Sequence, residues 1–363
     1  MQRIHDLLKE TPLRRSATGR LRLVTALAAA SLALAACGSN DNDTAASPSE
    51  GAAPQSDVKI GLAYDVGGRG DRSFNDSAAA GLDRAVAEFG GQKQELSPNA
   101  SGSDRGDNLR QLAEGGFDPI FAVGFAYAEN LKAVAADFPD TTFFIIDDSS
   151  IEAPNVKSLV FAEEQGSYLV GAAAALKSTT GNVGYIGGVE TPLLKKFEAG
   201  FAAGAKKVKP DITVQVKYLS APPDFSGFGS PDKGRETANG MYDAGADIVY
   251  AAAGGSGVGV FQSAAAKGKK AIGVDSDQYE SIGDPTLQPV ILTSMVKRVD
   301  TAVYTALQQI NDGADVPAVE TFDLATEGVG YATSGGFVDD IKPQLDELAG
   351  QITSGAITVP TTP

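Results

Sequence analysis

Twelve residues at 65–76, with the sequence DVGGRGDRSFND, carry the densest set of groups able to do chemistry. An apolar run at 58–64 precedes them and a segment of helical apolar spacing at 77–89 follows, so they form the turn between a buried strand and a helix. In open α/β sheets, ligands sit beyond the carboxyl ends of strands, where glycines let backbone approach and helix N-termini offer free N–H groups. Asp65 can accept two hydrogen bonds, Asn75 can donate and accept, and Phe74 offers a flat apolar face. Together they suit a planar, polar-edged ring better than a phosphate. The same residue types also serve as ordinary turn and N-cap residues, and Phe74 could face a core.

A second constellation lies later in the chain. Gly254, Gly255, Gly257 and Gly259 follow a strand-like run, and Asp275 ends the next one. This approaches a dinucleotide fingerprint, but Val260 stands where the third glycine is required. A glycine turn with an acid at the neighbouring strand end still suits the vicinal hydroxyls of a sugar. Asp147 and Asp148 close another strand; neighbours there point to opposite faces, so they cannot flank one bond as a glycosidase pair, and only one can serve a ligand. Phe197 is either core or a second aromatic wall. Glu163 and Glu164 favour a helix N-terminus, and Lys297 either faces a cleft or lies on the surface.

Composition removes several classes of function. The net charge of -16 argues against nucleic acid as a partner. The single His is His5 and the single Cys is Cys37, both within or beside a segment with the layout of a secretory signal: basic at Arg20 and Arg22, apolar over 23–36, then Cys37. With residues 1–36 removed, no His remains for acid/base catalysis, a Ser-His-Asp triad or a metal site. Carboxylate chemistry and pure binding remain. No cofactor and no metal is expected.

The elements that must position these residues alternate. Residues 38–57 are polar and without period, a tether reaching roughly 70 Å when stretched. From 58 on, strands at 58–64, 92–96, 119–124 and 142–147 alternate with helices, predicting a first lobe of four parallel strands. After the strand at 156–161 and a helix at 163–179, a second series repeats the pattern through 271–274. The pieces beyond 290 read as strand, helix, strand or strand pair, and a last helix over 336–353, with chain crossings expected near Phe161, Met295 and Pro317. The expected α/β organisation is two doubly wound lobes with parallel sheets: 58–162 plus 296–318, and 163–295 plus 319–363, joined by a multi-crossing hinge.

Several stretches are similar to the basic membrane protein family of bacterial substrate-binding lipoproteins, whose best-known members are purine nucleoside receptors feeding an ABC transporter. Asp65 with the DRSFN of 71–75 resembles the family's opening loop, and FAEEQGSYLVG at 161–171 and GG at 187–188 with KKFEAGF at 195–201 resemble later motifs. So do AGGSGVGVF at 253–261, GVDSDQ at 273–278 and LTSMVKRVD at 292–300. The quartet LAAC ending at Cys37 resembles a lipobox, implying cleavage before Cys37, lipid on its thiol and amine, and anchorage at the outer face of the cytoplasmic membrane.

The resemblance implies a type I periplasmic-binding-protein-like fold and a nucleoside-like ligand held between lobes. Phe74 and Phe197 would stack on the base, with Ser73 in the first of these motifs, and Asp65 and Asn75 would bond the base edge. Asp147, Asp275 and Lys297 would hold the ribose, with Glu164 and Gly254 lining the cleft. It also implies a monomer that presents its ligand to an ABC permease and its ATPase. Two other readings stay open: a carboxylate-dependent extracellular hydrolase of nucleosides or glycosides, and a receptor for membrane signalling.

Overall fold

The structure is a computed structural model that describes residues 56–363. The signal segment, Cys37 and all but the end of the tether lie outside the described residues.

The first half runs β1 (Lys59–Ala63), α1 (Phe74–Phe89), β2 (Gln92–Leu96), α2 (Arg105–Glu114), β3 (Ile120–Ala122), α3 (Ala128–Asp137), β4 (Phe143–Ile146) and β5 (Val156–Phe161). The second runs α4 (Glu163–Lys177), β6 (Asn182–Val189), α5 (Pro192–Val208), β7 (Thr213–Ser220), α6 (Pro231–Asp243), β8 (Ile248–Ala252), α7 (Gly257–Lys267), β9 (Lys270–Asp275), α8 (Gln278–Ser281) and β10 (Ile291–Lys297). The chain then adds α9 (Val299–Asn311), β11 (Val319–Phe322), β12 (Val329–Tyr331) and α10 (Lys342–Thr353).

Two six-stranded sheets result, ordered β11-β5-β4-β3-β1-β2 and β12-β10-β9-β8-β6-β7. Read from the β2 and β7 edges, the two orders match strand for strand. Central strands such as β4 (FFII) and β8 (IVYAA) are buried along their whole length, as parallel strands covered by helices on both faces must be. The chain crosses between sheets after β5, after β10 and after β11.

Four expectations are corrected. The first sheet has six strands rather than four, because β5 and β11 extend it. The segment 319–322, expected in the second lobe, pairs in parallel with β5, and Phe322 stacks on Phe161 at 5.3 Å, so the last crossing falls after Phe322 instead of near Pro317. β12 runs antiparallel to β10, so the second sheet is not wholly parallel. The final helix begins at Lys342 rather than 336, because Gly335 and Gly336 take positive φ and break the turn before it.

Helix α1 starts at Phe74, earlier than its apolar spacing predicts. The Asp71 carboxylate accepts the amide N–H of Ser73 (2.9 Å), Asn75 (2.9 Å) and Asp76 (3.1 Å), which satisfies the helix's free donors and seats Phe74 on its first turn. Helices α4 and α5 approach at glycines: a Cβ on Gly204 would lie 1.9 Å from the Tyr168 carbonyl oxygen, and one on Gly200 would lie 2.1 Å from that of Glu164. This contact sets the position of α5, which carries Phe197.

Candidate functional site

The carboxyl ends of both sheets face one cleft of about 560 Å³, its open mouth included. Phe74, Asp65 and Asn75 line it from the loop and helix after β1, and Gly124, Phe125 and Asp147 from the ends of β3 and β4. The second lobe supplies Phe197 from α5, Gly254 after β8, Asp275 from β9 and Lys297 from β10.

Lys297 is the electrostatic centre. Its Nζ lies 2.6 Å from Asp147 Oδ2 and 3.7 Å from Glu163 Oε1, and the rings of Phe74, Phe161 and Phe197 surround it at 4.8, 5.1 and 5.6 Å. Burial opposes its charge, but Asp147, Glu163 and Asp275 outweigh that and raise its pKa. Asp147 Oδ1 is buried and takes no hydrogen bond from the protein. A buried carboxylate oxygen left without a donor is costly unless something else supplies one.

Asp275 is buried against the first lobe. Ser73 Oγ donates to Asp275 Oδ2 at 2.5 Å, and burial pushes this carboxyl up to about 6 against the pull of Lys297 and Ser73. Around them, Gln278 Nε2 donates to the Arg72 carbonyl at 3.0 Å and the Arg72 guanidinium donates to the carbonyl of Ile282. The lobes are thus joined across the cleft mouth in a closed arrangement.

Eight of the ten predicted ligand-binding residues line this cleft. Ser73 instead joins the lobes beside it. Glu164 is not among the lining residues; its neighbour Glu163 is the buried acid that reaches Lys297. The expected use of Asp65 and Asn75 on a ligand edge also needs revision. Asp65 Oδ1 holds Arg105 Nη2 at 2.6 Å and the Val66 amide at 2.7 Å. Asn75 Oδ1 accepts the Asp65 amide at 2.9 Å, and its Nδ2 donates to Asp71 at 3.0 Å. Both residues first of all build the loop, which leaves Asp65 Oδ2 and one amide hydrogen of Asn75 for a ligand. Burial raises the Asp65 pKa, while Arg105 opposes the shift.

Arg105, Phe125, Phe225 and Phe228 carry no motif and were not anticipated. Arg105 opens α2, where a cation is disfavoured by the helix dipole, and that misfit is the readable sign of a buried partner. Phe228 lines the cleft, and Phe225 packs on Phe125 at 6.1 Å and beneath the Arg105 guanidinium at 5.3 Å. Among the described residues no cluster of His, Cys, Asp and Glu is placed to hold a metal ion.

A family profile described as "ABC transporter substrate-binding protein PnrA-like" matches residues 58–362. The chain belongs to this family. A PnrA-like chain is a substrate-binding protein of an ABC transporter, so its partners are a small-molecule ligand and a transporter. It is 34% identical over 359 residues to the "ABC transporter nucleoside-binding protein BmpA" of Lactococcus lactis, covering 94% of this chain and 99% of the relative. It is 33% identical over 353 residues to the "CD4+ T-cell-stimulating antigen" of Listeria innocua, covering 92% and 96%. Its PnrA-like fold superposes on an ABC transporter solute-binding protein from Aeropyrum pernix with a TM-score of 0.73 at 29% identity, covering 84% of this chain and 93% of the other. The architecture is that of type I periplasmic binding proteins.

Proposed function

We propose that the protein captures a nucleoside, of the purine class, between its lobes and hands it to an ABC permease driven by a cytoplasmic ATPase. The observation that carries this reading is the pairing of Phe74 and Phe197, one from each lobe, with a buried Asp147 oxygen that lacks a donor. An aromatic ring from each lobe suits a flat base, and Asp147, Asp275 and Lys297 suit sugar hydroxyls, which both donate and accept. Gly254, with φ of 54°, brings backbone to the same wall. The Lactococcus relative's description as nucleoside-binding supports the choice of ligand.

Closure follows from divided contacts. Because each lobe holds part of the ligand, the ligand binds the closed state better and draws the population to it. In this reading the protein acts as a monomer, held by lipid on Cys37 at the outer face of the membrane after loss of residues 1–36, with 37–57 as its tether. No covalent step is required.

A thermal-shift screen of nucleosides, bases and sugars tests the ligand class, since a tight ligand raises the melting temperature by mass action. Adenosine, guanosine or inosine should raise it and free sugars should not. Release of free base from inosine would favour the hydrolase reading instead.

A further inference from the structure

Glu163 does not line the cleft, yet it is wholly buried at the first residue of α4, just after the chain leaves the first sheet. Lys297 ends β10, just before the chain returns. The two side chains meet at the pivot between lobes. Glu163 Oε1 takes no hydrogen bond and lies 3.7 Å from Lys297 Nζ, while Oε2 accepts from Lys196 Nζ of α5 at 3.3 Å. The other titratable groups bearing on it are Asp147 at the end of β4, Tyr250 of β8 and its own neighbour Glu164.

We propose that Glu163 is a positioning residue for ligand capture, holding Lys297 at the pivot and taking up a proton as the lobes close on a neutral ligand. Asp147 belongs to the first lobe and Glu163 to the second, so closure sets a second carboxylate on the far side of the same ammonium and expels water from around it. Both changes favour a neutral Glu163. In the closed arrangement burial pushes its carboxyl up to about 7, with Lys297 pulling against the shift and Asp147 adding to it. With the cleft open and wet, the group returns toward the ordinary value of about 4.3. A closed state that holds the proton more firmly is favoured as pH falls between these limits. The proton comes from solvent to the unpartnered Oε1. Lys297 then belongs to Asp147 alone, whose Oδ1 stays free for a ligand donor.

This inference rests on the cleft being the nucleoside site, so its test has two arms. In the first, inosine is titrated calorimetrically from pH 8.5 to 5.5 in buffers of differing ionisation enthalpy. The wild type should take up protons on binding and bind about tenfold tighter at the acid end. Glu163→Gln should lose most of that slope and uptake, and an equal slope in that variant overturns the proposal. Should Glu163→Gln not fold, Glu163→Asp takes its place: a shorter acid, farther from Lys297, must move the midpoint, and an unmoved midpoint overturns the proposal. The second arm reads the carboxyl itself. Carboxyl carbon NMR of the Glu-labelled protein should show one resonance, absent from the variant, that titrates in the ordinary carboxylate range with the cleft empty and near 7 with saturating inosine. A midpoint that does not rise when inosine binds overturns the proposal and leaves the nucleoside reading standing. Failure of inosine to bind at any pH retires the nucleoside reading and the proposal with it.

Discussion

Asp147 and Asp275 occupy the same station in the two lobes. Strands β4 and β9 hold equivalent places in their sheets, each acid stands at the carboxyl end of its strand, and each has left-handed φ, 69° and 64°. Such backbone costs a non-glycine residue about 1 to 3 kcal/mol, least for Asn and Asp. Each acid also reaches into the other lobe, Asp147 to Lys297 and Asp275 to Ser73. The strained pair braces the closed cleft from both sides.

Phe74 is only half buried, so its ring can be removed with little damage to the core. Loss of base–aromatic stacking costs about 1 to 3 kcal/mol. Phe74→Ala should therefore weaken inosine binding by about tenfold or more in calorimetry, with an unchanged circular dichroism spectrum.

Lys297→Met leaves Asp147, Glu163 and Asp275 buried around an apolar side chain. Removing one partner of a buried ion pair costs about 3 to 5 kcal/mol. Urea unfolding should show a loss of that order, and nucleoside binding should fall below detection.

The pH dependence of folding has a defined sign. Burial raises the Asp275 carboxyl from 3.8 to about 6, so its contribution is fully present below 3.8 and is lost as pH rises through about 6. Glu95 acts oppositely. Burial alone would raise it, but Lys93, Tyr64 and Arg69 lower it from 4.5 to about 2, so its contribution is present above 4.5 and is lost as pH falls toward 2. The melting temperature should rise from pH 8 to pH 5.5, and Asp275→Asn should flatten that rise.

Gly204→Ala forces a Cβ against the Tyr168 carbonyl, a backbone atom that cannot swing aside. Overpacking of this kind costs about 1 to 3 kcal/mol. Chemical unfolding should register it, and nucleoside affinity should drop as well, because α5 carries Phe197 away from the cleft.

Much of this was legible in the sequence where burial is uniform. Strands covered on both faces read as continuous apolar runs, so β1, β4 and β8 stand out, and the residues after them fall on the cleft rim. β11 was hidden because VETF is an edge strand with one buried residue, Phe322. Glu163 and Glu164 could not be told apart, since the first residue of a helix has no apolar period to show which side chain turns inward. The Asp65–Arg105 pair spans 40 positions, so the misplaced cation at the start of α2 signals a buried partner without saying which acid it is.

The central claim is that a nucleoside lies between Phe74 and Phe197, and a crystal structure of the protein grown with inosine tests it most directly. The purine should sit between those two rings with its ribose hydroxyls on Asp147, Asp275 and Lys297, one of them donating to Asp147 Oδ1. Inosine bound elsewhere on the protein, or a cleft holding a different ring or none in saturating inosine, would contradict it.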